Sequence, residues 1–122
     1  MVLDVAVEQA EIADVPGVQA VLTEARRWLA DQSIDQWQDP VPDRVIEADV
    51  RQGRLFVVRA EDGLAGMLAV AHSDEETWGA HPASALYVHR LAVAQRHRGM
   101  QLGPRLLRWA RRYAIDRGCA WL

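Results

Sequence analysis

A chain of 122 residues, half of them hydrophobic and a quarter charged, makes one globular domain around a single core. Its net charge of −3 is small, and no apolar run approaches the ~18 residues of a membrane span. The lone cysteine, Cys119, excludes an internal disulfide and reads as a packed residue in a reducing, cytoplasmic setting, while Asp4, Glu8 and Glu11 near the N-terminus argue against a secretory signal.

Residues 2–8 (VLDVAVE) alternate as a first strand should. Asp14 then caps a helix with Pro16 in its first turn and the apolar face Val18, Val21/Leu22, Ala25, Trp28/Leu29, ending between Ala30 and Gln32. A polar loop carrying Trp37 follows, closed by Pro40 and Pro42; that tryptophan is either a lid over an apolar cleft or a plug for the core. Asp43 opens a short helix that Gly53 stops. Arg54 to Ala60 is a strand, Glu61-Asp62-Gly63 a hairpin turn, and Leu64 to His72 the returning strand, in which Gly66 marks a bulge or a close backbone contact. The polar loop SDEETWGAHPAS leads to Leu86–Val93 (LYVHRLAV), whose apolar and β-branched residues read as a buried strand.

A basic turn with two glycines comes next, and then a long helix with apolar positions Leu102, Leu106, Trp109/Ala110 and Tyr113/Ala114. Pro104 sits near its start and Gly118 just past its end. The final CAWL begins another strand. The order β-α-α-β-β-β-α-β predicts an α+β fold: one domain over residues 1–122, with a mixed, mostly antiparallel sheet flanked by helices. Repeats and low-complexity segments are absent.

A strand that feeds through glycines into a helix N-terminus makes an anion site, because the first N–H groups of the helix lack partners and its dipole favours negative charge. Gly99 and Gly103 allow close approach, and Arg96, His97 and Arg98 surround the turn with donors, so a phosphate or pyrophosphate is the natural occupant. The turn is neither a Walker A loop nor a dinucleotide fingerprint, since GK[ST] and GxGxxG are both missing. Residues 1–85 hold 6 Arg and 16 acids, whereas residues 86–122 hold 8 Arg and a single acid. Such a local basic region in an acidic chain suits a small polyanion better than nucleic acid, and Arg105, Arg108, Arg111 and Arg112 read as a solvated helix face. His72, His81, His89 and His97 show no metal-ligand spacing, so no metal is expected.

The stretch LAV, four residues, then RGMQLG resembles the acetyl-CoA motif of the GCN5-related N-acetyltransferases (GNAT), usually Arg-Gly-x-Gly-x-Gly/Ala. The resemblance implies an acyl-CoA N-acyltransferase-like fold and an acetyl-CoA-dependent transfer to a primary amine, with a small-molecule acceptor expected. It makes Leu91, Ala92 and Val93 the segment that pairs with the pantetheine arm, and Arg98, Gly99, Met100, Gln101, Leu102 and Gly103 the pyrophosphate turn. Gln101 stands where the family has its middle glycine. Three candidates for a general base are visible: His89, two residues before Leu91 and so expected on its face of the strand; Tyr87, expected to share that face; and the loop carboxylates Glu75 and Glu76. The family continues with another helix and two more strands, so the chain is expected to be C-terminally incomplete, its sheet edge open to a second copy or to a covering partner. The alternative function is a CoA-binding module of the same fold without turnover.

Overall fold

The computed structural model of the chain describes residues 6–31, 40–61, 63–72, 86–97 and 101–117. The elements are β1 (Val7–Gln9), α1 (Val15–Asp31), α2 (Asp43–Arg51), β2 (Leu55–Ala60), β3 (Gly63–His72), β4 (Leu86–Val93) and α3 (Leu102–Asp116), with 3₁₀ turns at Ile12–Asp14 and Gln95–His97. The strands pair antiparallel in the order β1-β2-β3-β4, which is the sheet of the expected α+β fold. Trp37, Glu75, Glu76, Trp78, Cys119 and the CAWL segment lie outside the described residues, and with them the expected last strand.

The helix ends follow from particular residues. Asp14 directly precedes α1 but caps by a different bond from the one expected: it closes the 3₁₀ turn that runs into α1, and its carboxylate accepts the Glu11 N–H at 2.8 Å. The Gln19 amide on α1 donates to Val41 O and to Asp43 Oδ1, which sets the start of α2 against α1. At the far end of α2, Gly53 at φ 69° lets its N–H reach Val50 O while Arg54 N–H reaches Asp49 O. This pair of bonds satisfies the last carbonyls and turns the chain into β2.

Each face of the sheet buries its own set of side chains. Under α1 and α2 lie Leu55, Val57, Leu64, Met67, Ala69 and Ala92, closed by Val18, Val21, Leu22 and Ile46. Under α3 lie Phe56, Leu68, Val70 and Leu86 with Ala110 and Ala114, and beside them Val58 and Ala65 with Leu102 and Leu106. The α3 positions are those that the 3.6-residue period picked out. Phe56 meets Trp109 and Tyr113 at ring-centroid distances of 4.7 and 5.2 Å, edge-on or tilted as aromatic quadrupoles prefer.

Two bulges interrupt the ladders. Val58 pairs with Gly66 but Arg59 with Leu64, so Ala65 is the extra residue of β3. A Cβ added at Gly66 would lie 3.1 Å from Ala92 O and 3.3 Å from Leu102, so this glycine lets α3 settle on the sheet, as its place in the strand predicted. In β4, Arg90 pairs with Ala69 but Val88 with Val70, which leaves His89 as the extra residue. Strict alternation across LYVHRLAV is therefore broken in mid-strand.

Candidate functional site

The bulge at His89 decides which residues reach which side. Leu86 and Val88 pack under α3, and so do Leu91 and Val93; the pleat between the first two turns Tyr87 toward α1 and α2. Tyr87 and Leu91 thus lie on opposite faces, a correction to the period-2 reading, which does not survive an inserted residue. The His89 side chain is outside the described part of the structure; its backbone marks the bulge. Arg90, with Ala92, faces α2, where its guanidinium meets Asp49 at 2.7 Å. Both side chains of this pair are largely buried, at 24% and 18% exposure.

Leu91, Ala92 and Val93 form the end of β4, the last strand of the described sheet, and α3 begins above them. Arg105 N–H makes the first α3 bond, to Gln101 O at 3.1 Å. That leaves the N–H groups of Leu102 and Gly103 without an intrahelical acceptor, and Pro104 has none to satisfy. Among the described residues, the nearest atom to a Cβ added at Gly103 is Leu91 Cδ2 at 4.0 Å, so the helix start stands directly over the first residue of the LAV segment. Gln101 adopts φ 56°, ψ 34°, left-handed backbone in a residue other than glycine. A glycine at this position removes the Cβ clash that conformation carries. Arg98, Gly99 and Met100 lie outside the described residues.

Arg96 is placed differently from the expectation that it would surround the turn. Its guanidinium donates to Leu64 O at 3.0 Å and lies 3.4 Å from the Cβ position of Gly63, on the β2–β3 hairpin. Periodicity carried no signal for this, since a 3₁₀ turn at Gln95–His97 sets its direction. Two further charged residues were likewise invisible in the pattern. Asp49 meets Arg90 across 41 positions, and Glu24 on α1 accepts the Gln95 N–H. Among the described residues no group of three His, Cys, Asp or Glu side chains is placed to hold a metal ion, and no helix is long and apolar enough to cross a membrane.

At the sheet edge away from this region, Arg59 forks onto Asp14 (2.7 and 2.9 Å) and also donates to Glu8 at 2.8 Å. The Arg59 hydrogen bonds hold the Asp14 carboxyl below the usual carboxylate range against the opposing push of burial, and the Glu11 N–H assists.

Comparison with known proteins agrees with this geometry. The model of the acetyltransferase (GNAT) family matches residues 22–122. The uncharacterized N-acetyltransferase YesJ of Bacillus subtilis (strain 168) is 31% identical over 106 residues, covering 80% of this chain and 58% of that protein. The chain therefore spans little more than half the length of that relative. A GNAT-family acetyltransferase from Listeria monocytogenes 4b F2365 superposes with a TM-score of 0.79 at 24% identity, over 94% of this chain and 72% of that one. The ribosomal-protein-alanine N-acetyltransferase of Brucella melitensis biovar Abortus 2308 does so with 0.66 at 18% identity, over 97% and 77%. At such identities the two structural likenesses speak for the fold alone.

Proposed function

Because this chain belongs to the acetyltransferase (GNAT) family, we propose that it binds acetyl-CoA and transfers the acetyl group to a primary amine of a small molecule. The observation that carries the reading is the start of α3 over β4, where Gly103 stands above Leu91 and the Leu102 and Gly103 N–H groups have no acceptor in the helix. In this reading Arg98, Gly99, Met100, Gln101, Leu102 and Gly103 receive the pyrophosphate, and the backbone of Leu91, Ala92 and Val93 receives the pantetheine arm as an added strand. Arg96 takes part from outside, bracing the turn against the hairpin.

Transfer requires a neutral amine, a polarised thioester carbonyl and a proton for the departing sulfur. Main-chain N–H groups at the end of β4 serve the carbonyl, and most of the rate comes from holding the two partners together. Tyr87, His89 and Glu76 are the candidates for moving the amine proton. Tyr87 faces the side of the sheet on which α1 and α2 lie. The C-terminal sheet edge is the place for a covering partner such as a second copy of the chain, and a cytoplasmic setting suits the lone cysteine.

Calorimetric titration with CoA tests the turn. Binding is expected, and Arg98→Glu or Gly99→Trp should weaken it at least about tenfold. Unchanged affinity in both variants would remove the turn from the site. Consumption of acetyl-CoA over a panel of small amines and an alanine-terminated peptide then tests the acceptor. Gln101, left-handed where the family has glycine, favours a second reading: a CoA-binding module without catalysis. CoA binding with no turnover on any acceptor would establish it.

A further inference from the structure

The turn Gln95–His97 joins the end of β4 to the proposed CoA turn, and its backbone has few acceptors of its own. Ala94 N–H donates to Ala65 O at 2.8 Å, the last bond to β3, and His97 N–H donates to Ala94 O at 2.9 Å. Between them, Gln95 N–H has no ladder partner, because pairing with β3 stops at Val93 and Gly66. As the first N–H of a 3₁₀ turn it has no acceptor within the turn either. Glu24 Oε1 accepts it, from α1 and from 71 positions earlier in the chain.

Glu24 is half-buried, three residues after Val21 and next to Ala25, on the side of α1 that packs against the sheet. A carboxylate that accepts a main-chain N–H makes a charge-assisted bond about twice as strong as a neutral one. The same short segment is held from the hairpin by Arg96 on Leu64 O. The chain thus reaches Arg98 from a point anchored to β3, α1 and the hairpin.

The geometry points to Glu24 as a positioning residue for acetyl-CoA. From α1 it fixes the Gln95 backbone at the head of the segment that leads into the proposed CoA turn. This rests on the reading of that turn as the CoA site. Glu24 touches no substrate; it acts through the Gln95 N–H. Amides bind an anion well only when they converge on it, and a small misplacement is costly.

The experiment measures CoA affinity by calorimetry and amide hydrogen exchange by mass spectrometry on the same proteins. Glu24→Ala should weaken CoA binding about tenfold and speed exchange over residues 95–103, leaving β2 and β3 as protected as before. Glu24→Gln, which keeps an acceptor oxygen, should restore most of both. In Gln95→Pro, which has no N–H to satisfy and suits the first position of a helical turn, Glu24→Ala should have no further effect. A full loss of affinity persisting in that background, or exchange over 95–103 unaltered by Glu24→Ala, overturns the inference. If the unmodified chain binds no CoA, the reading of the turn falls, and the exchange measurement still decides the role of Glu24.

Discussion

The two faces of the sheet are held by different means. Beneath α3 the described contacts are apolar and aromatic: Leu102 and Leu106 on Gly66, and Trp109 and Tyr113 on Phe56. Beneath α1 and α2 an apolar core of similar make-up is bordered by hydrogen-bonded charges: Arg59 on Asp14 and Glu8, Arg90 on Asp49, and Glu24 on the Gln95 N–H. Apolar burial is non-directional and rewards area, whereas a charged hydrogen bond rewards one geometry. Apolar burial thus holds both faces together, and on the α1–α2 face charged hydrogen bonds also set where β4 and the turn after it stand.

This difference sets the order of expected effects. Leu106→Ala, at a fully buried position under α3, should lower unfolding free energy by about 2–5 kcal/mol in denaturant titration while leaving the pattern of substrate dependence intact. Asp49→Ala leaves the largely buried Arg90 guanidinium without its partner and should destabilise by a smaller amount, about 1–2 kcal/mol. Its clearer effect should be on transfer, raising KM for the acceptor more than for acetyl-CoA, because α2 is released from β4. Equal shifts in both constants would reduce that pair to a structural role.

The Arg59 clamp is read by pH. The folded-state pKa of Asp14 is depressed, so its contribution is fully present above the ordinary carboxylate value of ~3.9 and is lost as pH falls through the lower folded value. Melting temperature should therefore drop more steeply below about pH 4 in the unmodified chain than in Asp14→Asn, and parallel curves would show the clamp to be silent. The smallest effect is expected at Gln101→Gly, which removes the left-handed side chain and should add up to about 1 kcal/mol of stability, with tighter CoA binding. A loss of affinity there would instead make the Gln101 carboxamide a ligand for the phosphate.

Local pattern was enough for what local physics determines. The period of Leu102, Leu106, Ala110 and Ala114 marked α3 and its buried side, and the Asp62-Gly63 pair marked the hairpin that Gly63 begins to close at φ 128°. Within the motif RGMQLG, the residue that departs from the usual pattern, Gln101, is the left-handed one. What escaped was everything made by residues distant in the chain. Nothing near Glu24 or Asp49 distinguishes them from solvated helix acids; their partners lie 71 and 41 positions away. The β4 bulge escaped for a related reason, since LYVHRLAV reads as continuous strand and only its pairing with Ala69 and Val70 exposes the extra residue.

Removing one residue from the middle of a strand ordinarily sends every side chain upstream to the wrong side. Here excision of His89 would do the reverse: Val88 would precede Arg90 in an uninterrupted ladder, with Leu86 still beneath α3 and Tyr87 still opposite. A shortened chain of this kind, set beside His89→Ala, separates what the imidazole contributes from what the kinked backbone contributes.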